Sequence, residues 1–276
     1  MKVLMCTGGS KFAENAIGFG IRLVKNVNPE ITLLYVAERE RDIAKSNDIL
    51  DRAKDIIEDY GMTSKIKMRE GFVAEEVIRE AEEGTYDLVI IGSHGLRSNL
   101  VGISEFLLGT EAYRIVKYCK TSVLVVKEAK TFGKVLFTTD GSRFAEEAIE
   151  FGGRLLQKTS VDVAILHVIP SFVEHFRDYL EPVRPELVEM LKMLPRREAG
   201  RLDRSKEILR KYDIEAKRKV REGHAAEEIL KESERYDMIV IAALGRSGKG
   251  IFPLGDIAYK VVTHAKKPVL LVKSIR

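Results

Sequence analysis

Short apolar runs alternate with amphipathic stretches along the whole chain. Leu88–Ile91 and Met238–Ile241 are wholly apolar and rich in Ile and Val, as expected for strands that are buried on both faces of a parallel sheet. Over Ala13–Val24 the apolar residues recur instead at helical spacing. Alternating strand and helix units of this kind predict an α/β fold, in which helices cover both faces of a parallel sheet.

The same pattern predicts the individual elements of the first half of the chain. Ser10 is a candidate helix cap, and Gly61 is a candidate helix stop. The predicted strands are Lys2–Thr7, Ile31–Val36, Lys65–Met68, Leu88–Ile91 and Val123–Val126, and the predicted helices follow Ser10, surround Ile43–Tyr60, and span Ala74–Glu83 and Thr110–Tyr118.

The second half of the chain repeats the first. Three pairs of segments match: Lys2–Ile17 with Lys134–Ile149, Arg69–Ile78 with Arg221–Leu230, and Ser122–Lys127 with Pro268–Lys273. Agreement over the full length of both halves indicates a duplicated domain. We predict domains at 1–129 and 133–276, and a proline-punctuated insertion at about 171–200 that favours a helical flap over a mobile linker.

A ligand crevice follows from this topology. If the first and fourth strands of each unit are central neighbours, the strand order reverses between them, and ligands bind outside their carboxyl ends. In the first unit the loops at Thr7–Ser10, Val36–Ala37 and Gly92–Thr110 would then surround one crevice. The fourth strand runs into a glycine-rich loop and a helix N-terminus in both units. Such loops direct backbone N–H groups at anions.

These residues resemble the universal stress protein family in a tandem form. The family motif is G-x2-G-x9-G-[S/T] after the fourth strand, with an Asp ending the first strand and a Val ending the second. The resemblance implies two Rossmann-like (adenine-nucleotide α-hydrolase-like) domains, each with a five-stranded parallel sheet in the order 3-2-1-4-5. It also implies that ATP, ADP or AMP is bound, with or without Mg²⁺. The implied nucleotide-binding residues are Thr7, Gly8, Val36, Gly92, His94, Gly95, Gly109 and Thr110 in the first repeat, and Thr139, Asp140, Val168, Gly245, Arg246 and Gly255 in the second.

Each repeat keeps part of the motif. In the first, thirteen residues instead of nine separate Gly95 from Gly109, and Gly8 replaces the Asp. The second has Asp140 and the nine-residue spacing, but Ala242 replaces the first glycine and Asp256 replaces the Ser or Thr. A carboxylate at Asp256 repels phosphate and favours AMP or ADP over ATP, although a structural role as a helix N-cap is an equal alternative.

Composition excludes several other functions. The net charge of +4 comes from 46 basic and 42 acidic residues mixed along the chain, whereas nucleic-acid-binding proteins cluster basic residues on one face. No apolar run approaches the roughly 18 residues of a membrane span, and no signal peptide is visible, so we expect a cytoplasmic protein. The two cysteines, Cys6 and Cys119, have no metal-ligand spacing and are expected to be buried thiols.

The resemblance implies a stress-response regulatory protein. No general base or water-positioning residue stands out, so at most slow ATP hydrolysis is expected. Two alternatives remain open. One is a scaffold that binds no nucleotide and acts through an unidentified protein partner. The other is an enzyme of the related ATP-pyrophosphatase group, whose S-G-G-x-D-S loop is matched only superficially by Thr7-Gly-Gly-Ser-Lys-Phe.

The resemblance also implies that the last strands of the two units associate. Val123–Val126 and Val269–Val272 have apolar edges that would pair within one chain as a pseudo-dimer. Whether two chains then form a homodimer is left open by the sequence.

Overall fold

The computed structural model of the chain describes residues 1–94, 108–127, 129, 131–170, 200–245 and 254–274, with the side chain of Arg41 left aside. The predicted insertion lies almost entirely outside these ranges. Within them, none of the helices is long and apolar enough to cross a membrane.

The first repeat alternates strands and helices as predicted. Its strands are β1 (Lys2–Thr7), β2 (Glu30–Ala37), β3 (Ser64–Glu70), β4 (Leu88–Gly92) and β5 (Ser122–Val126), and its α-helices are α1 (Lys11–Val24), α2 (Glu40–Ile43), α3 (Ser46–Glu58), α4 (Val73–Glu83) and α5 (Thr110–Tyr118). A short 3-10 helix, Lys25–Val27, extends α1.

The helix predicted around Ile43–Tyr60 is present as α3, and a separate short helix that was not predicted, α2, comes before it. The Ser46 hydroxyl donates to the carbonyl of Ile43 at 2.7 Å, and the Tyr35 hydroxyl donates to the carbonyl of Asp42 at 3.1 Å. Side-chain hydroxyls thus bind carbonyls between α2 and α3, and bonds of this kind compete with the backbone hydrogen bonds of a continuous helix.

The second repeat follows the same order. Its strands are β6 (Lys134–Thr139), β7 (Asp162–Ile169), β8 (Ala216–Glu222), β9 (Met238–Ala242) and β10 (Val269–Val272). Its helices are α6 (Arg143–Leu156), α7 (residues 200–210), α8 (Ala225–Ser233) and α9 (Asp256–His264).

The ten strands of the described residues form a single sheet, in the order β3-β2-β1-β4-β5-β10-β9-β6-β7-β8. Within each repeat the strands are parallel, and their order is the predicted 3-2-1-4-5. The repeats join where β5 and β10 run antiparallel, with Leu124 opposite Leu270. The predicted pairing of the two last strands is therefore confirmed, and it merges the two sheets into one.

Two layers of helices bury the two faces of this sheet. One core cluster contains side chains of α1, α3, α6 and α7, and the other contains side chains of α4, α5, α8 and α9. The apolar run of β4 supplies both clusters, since Leu88 and Ile90 point to the first, and Val89 and Ile91 to the second. Strand residues alternate between faces, which explains why the central strands are apolar throughout.

Each repeat also has a glutamate that is almost fully buried beside the outermost strand of the sheet. Glu80 of α4 accepts hydrogen bonds from Lys67 and Arg69 of β3 and from the Tyr86 hydroxyl. Burial alone would raise the pKa of the Glu80 carboxyl, but these three partners outweigh it and hold that pKa below its usual value. Glu232 of α8 is held in the same way by Lys219 and Arg221 of β8, at 2.6 and 2.7 Å.

Candidate functional site

The strand order brings the ends of β1 and β4 together. These strands are parallel neighbours, with Met5 opposite Ile90, while β2 lies on the other side of β1 and β5 on the other side of β4. The order therefore reverses between β1 and β4, which is the place where ligand crevices form in parallel sheets. In the second repeat β6 and β9 are neighbours in the same way.

The turn after β1 forms one wall of the first crevice. The Thr7 hydroxyl accepts a hydrogen bond from the N–H of Gly9 at 3.2 Å, and Gly9 has a positive φ of 74° that favours glycine. Ser10 caps α1, because its hydroxyl accepts from the N–H of Ala13 at 3.2 Å. Gly8 is exposed, and a Cβ added to it would meet no atom of the described residues within 4 Å. The described part of this wall therefore leaves space at the position that matches Asp140 of the second repeat.

The end of β4 forms the opposite wall and is tied to the first. The Ser10 hydroxyl donates to the carbonyl of His94 at 3.1 Å, and the imidazole of His94 lies against the ring of Phe12, with ring centroids 5.2 Å apart. His94 Nδ1 is also 3.0 Å from the hydroxyl of Ser93. Contacts with α1 therefore fix the start of the glycine loop.

Close packing against α1 explains why residue 92 is a glycine, and the sequence did not reveal this. A Cβ on Gly92 would lie 2.7 Å from the backbone carbonyl carbon of Phe12 and 2.9 Å from the backbone nitrogen of Ala13. The absence of a side chain lets the first turn of α1 approach the end of β4. Substitution of Gly92 would therefore disturb packing whether or not a ligand binds there, and the second repeat has Ala242 at the matching position.

The backbone donors of the glycine loop differ from the expectation. The Gly109 N–H donates to the carbonyl of Ser93 at 2.9 Å, and the Ser93 N–H donates to Val126 at 2.9 Å. The amide of Gly109, which is a predicted nucleotide-binding residue, is therefore engaged within the chain. The remaining donors of this helix end belong to the first turn of α5, which starts at Thr110 with Gly109 as its N-cap. The carboxylate of Glu111, in the same turn, accepts from the N–H of Ala74 at 2.9 Å.

The second crevice brings together two of its predicted residues. A Cβ on Gly245 would lie 2.8 Å from Oδ2 of Asp140, so the carboxylate at the end of β6 touches the glycine loop after β9. Asp140 Oδ1 accepts from the N–H of Ser142 at 2.9 Å, and the Thr139 hydroxyl accepts from the N–H of Gly141 at 3.1 Å. The turn after β6 thus repeats the turn after β1 and adds a carboxylate.

The helix that borders the second crevice starts as α5 does. The Gly255 N–H donates to the carbonyl of Ala243 at 2.8 Å, so this amide is also engaged within the chain. Gly255 is the N-cap of α9, and Asp256 is its first residue. The alternative interpretation of Asp256 as the N-cap is therefore wrong. Its exposed carboxylate instead forms an ion pair with Lys260 one turn later, at 3.0 Å.

Val36 and Val168 occupy matching places at the ends of β2 and β7. Both are partly buried and pack against the core cluster on the α4, α5, α8 and α9 face. Gly95 and Arg246 lie outside the described residues.

Comparison with known proteins identifies the family. The model of the "Universal stress protein family" matches residues 1–127 and, separately, residues 131–273. The chain belongs to the universal stress protein family.

Two curated relatives match most or nearly all of the chain. The chain is 23% identical to universal stress protein Slr1230 of Synechocystis, over 97% of this chain and 98% of the relative. It is 25% identical to a universal stress protein of Mycolicibacterium smegmatis, over 78% and 71% of the two chains. The crystal structure of a universal stress protein from Archaeoglobus fulgidus superposes with a TM-score of 0.70 at 20% identity, covering 99% and 98% of the chains. That likeness shows the shared fold.

Sequence reasoning missed two residues of the second crevice of this universal stress protein. His167 in β7 is buried, and its Nδ1 donates to the carbonyl of Thr139 at 2.7 Å. The side chain of Arg201 in α7 lies over Gly141, where an added Cβ would be 2.1 Å from its Cδ. In the first repeat the side chain of Ile49 covers Gly9 in the same way. Alignment of the repeats pairs Arg201 with Ile49, and that charge difference was the available signal.

The described ranges contain no group of three or more His, Cys, Asp or Glu side chains placed to hold a metal ion.

Proposed function

We propose that this universal stress protein binds an adenine nucleotide in the crevice of its first repeat and acts as a regulatory protein with little or no catalytic turnover. The observation that carries the proposal is the set of hydrogen bonds that joins the two walls of the first crevice. Ser10 and His94 join the turn after β1 to the end of β4, and the Gly109–Ser93 bond brings the N-terminus of α5 to the same point.

The electrostatics of the first crevice favour phosphate. Its matched positions carry Gly8 and Thr110, which are uncharged, and the nearby Glu111 carboxylate is engaged with the N-terminus of α4. The first turn of α5 adds N–H donors and the partial positive charge of a helix N-terminus. The space beside Gly8 and the partly buried Val36 leave room for the base and ribose.

The second crevice favours AMP or ADP over ATP. Asp256 opens α9 with an exposed carboxylate, and its ion pair with Lys260 reduces the repulsion of phosphate only in part. Asp140 provides an acceptor for nucleotide hydroxyl or amino groups that the first crevice lacks at Gly8.

A specific observation supports the scaffold alternative. The amides of Gly109 and Gly255 are already bonded within the chain, which reduces the number of donors that each loop offers to a phosphate. A protein acting only through a partner would need none of these donors. The two proposals are separated by whether nucleotide binds at all.

The test combines mass spectrometry with a reciprocal exchange of residues. Protein purified without added nucleotide is analysed for bound AMP, ADP and ATP, and calorimetric titrations then compare wild type with Thr110→Asp and Asp256→Thr. Two unit charges about 4 Å apart repel by roughly 4 kcal/mol at an effective dielectric near 20 before screening. We therefore expect Thr110→Asp to weaken ATP binding by about tenfold or more, which requires only about 1.4 kcal/mol, and Asp256→Thr to strengthen it at the second crevice.

Two controls are needed: the thermal stability of each variant, and the binding of adenosine, which lacks the charged phosphates. Both variants should keep wild-type unfolding midpoints within a few degrees, because both positions are exposed. Adenosine, which has no phosphate, should bind both variants and wild type equally. Wild-type protein that carries no nucleotide and shows no heat of binding at millimolar nucleotide would contradict the proposal and favour the scaffold.

A further inference from the structure

Two buried lysines occupy equivalent positions in the two repeats. Lys127 directly follows β5 and is 3% exposed, and Lys273 directly follows β10 and is 8% exposed. Lysine is almost never fully buried unless its ammonium group has a specific partner. The duplication places the same costly feature at both ends of the junction between the repeats.

Each lysine reaches across that junction. Lys127 Nζ donates to the carbonyl of Thr263 at 2.8 Å, and Lys273 Nζ donates to the carbonyl of Val116 at 2.9 Å. Thr263 is in the last turn of α9 and Val116 in the last turn of α5, so each ammonium group binds the helix C-terminus of the other repeat. A cation is favoured there by the partial negative charge of the helix end.

The same helices begin at the two crevices. The first turn of α5 borders the first crevice at Thr110, and the first turn of α9 borders the second at Asp256. Lys127 therefore contacts the C-terminus of α9, whose N-terminus borders the second crevice, and Lys273 contacts the C-terminus of α5, whose N-terminus borders the first.

The strands connect each lysine to its own crevice as well. The carbonyl of Val126, next to Lys127, accepts from the N–H of Ser93 at the start of the first glycine loop, at 2.9 Å. The carbonyl of Val272, next to Lys273, accepts from the N–H of Ala243 at the start of the second, at 2.8 Å. Two chains of contacts thus run from one crevice to the other, one through each lysine.

We propose that the two crevices are coupled through Lys127 and Lys273, so that nucleotide bound in one repeat alters the glycine loop and final helix of the other. The inference rests on the proposed function. A shift of α5 or α9 on ligand binding moves a carbonyl away from a buried ammonium group, and the loss of a hydrogen bond from a buried cation is costly. The opposite repeat must therefore respond to the shift. The rings of Tyr113 in α5 and Tyr259 in α9, with centroids 5.9 Å apart, add a direct contact between the two helices.

Burial makes these lysines sensitive to such a change. It lowers the pKa of Lys127 and that of Lys273 to about 8, so each amine is close to losing its proton at neutral to mildly alkaline pH. Cys119, at the end of α5, is the titratable group that acts on Lys273, and its charge would raise the pKa of that lysine.

The experiment is hydrogen–deuterium exchange with the nucleotide restricted to the first crevice. Gly245→Val disables the second crevice, because the new side chain collides with Asp140. In the Gly245→Val protein we expect saturating AMP to slow amide hydrogen exchange in the last turn of α9 by about fivefold or more. Typical allosteric coupling changes affinity by about 5–150-fold. With Lys127→Met and Lys273→Met added, the response of α9 should vanish while AMP affinity stays within about twofold.

The matched control is Lys120→Met, which removes an exposed ammonium group that pairs with Glu82 at the surface. It should leave the response of α9 unchanged. If AMP binds and α9 does not respond, or if the response survives the loss of both buried lysines, the coupling is wrong. A response that disappears in Lys120→Met would also contradict it, since loss of any lysine would then suffice.

Two further measurements keep the test decisive. If the variant with both lysine substitutions does not fold, each single substitution is measured instead. The Gly245→Val protein with both lysines intact is a test by itself, because bound AMP that leaves exchange in α9 unchanged would overturn the inference. Failure of AMP to bind at all, measured separately by calorimetry, contradicts the proposed function and not the lysine contacts.

Discussion

The two repeats share a scaffold but differ in the charge of their crevices. At three matched positions the first repeat has Gly8, Ile49 and Thr110, while the second has Asp140, Arg201 and Asp256. The backbone contacts beneath them are the same, since Ser93 and Ala243 donate to the last strands, and Gly109 and Gly255 donate back to the loops. Duplication has thus preserved the hydrogen bonds that shape the crevice and changed the side chains that a ligand would meet.

The largest expected effect tests whether the two scaffolds are equivalent. Glu80→Ala and Glu232→Ala each remove a buried carboxylate from the basic side chains that it pairs with, although Arg69 keeps Glu76 and Glu83 as partners. Breaking a buried ion pair costs up to about 3–5 kcal/mol. We expect losses of this size in urea-unfolding experiments, with Glu80→Ala the costlier because Tyr86 also loses its partner. An undiminished unfolding free energy in either variant would show that its network does not stabilise that repeat.

The next effect concerns the junction between the repeats. Below pH 8 the buried Lys127 carries its charge in both states, and above it the folded state releases the proton while the unfolded lysine keeps it up to its usual pKa of 10.5. The stability of the folded protein should therefore rise between about pH 8 and 10.5, by at most about 3.4 kcal/mol per lysine. Lys127→Met and Lys273→Met should each remove the contribution of one lysine, which is about half of the total rise.

Subtraction isolates that effect from other groups. Thiols and phenols also titrate in this range, and burial raises the pKa of Cys6 and that of Cys119. The comparison is therefore the difference in pH slope between wild type and each variant, measured by chemical unfolding. Identical slopes would mean that the lysines are not buried cations.

A smaller effect compares the ends of β4 and β9. Gly92→Ala places a methyl group against the backbone of Phe12, and overpacking of this kind costs typically 1–3 kcal/mol. The reverse change, Ala242→Gly, should cost only about 0.5–1 kcal/mol, through backbone entropy. Thermal unfolding of the two variants measures both. Equal costs would show that α1 can move away from β4.

The smallest effect compares the two helix caps. Ser10→Ala and Ser142→Ala each remove a side-chain acceptor for the first turn of a helix, which costs about 1 kcal/mol. Ser10 also donates to His94, so its substitution should cost about 0.5–1.5 kcal/mol more. Unfolding free energies give the difference, and Ser10→Thr serves as the control that keeps both bonds. A smaller cost for Ser10→Ala would argue against the tie between the two crevice walls.

The sequence by itself determined the repeated elements, because the periodicity of strands and helices and the duplication are visible in one dimension. The strand order within each repeat and the pairing of the two last strands were expected from the resemblance to the universal stress protein family. Contacts between distant residues were decided only by the tertiary structure. They include Arg201 over Gly141, the approach of α1 to Gly92, and the bonds from Lys127 and Lys273 across the junction. A side chain's partner depends on which elements the fold brings beside it, and neither residue type nor spacing encodes that directly.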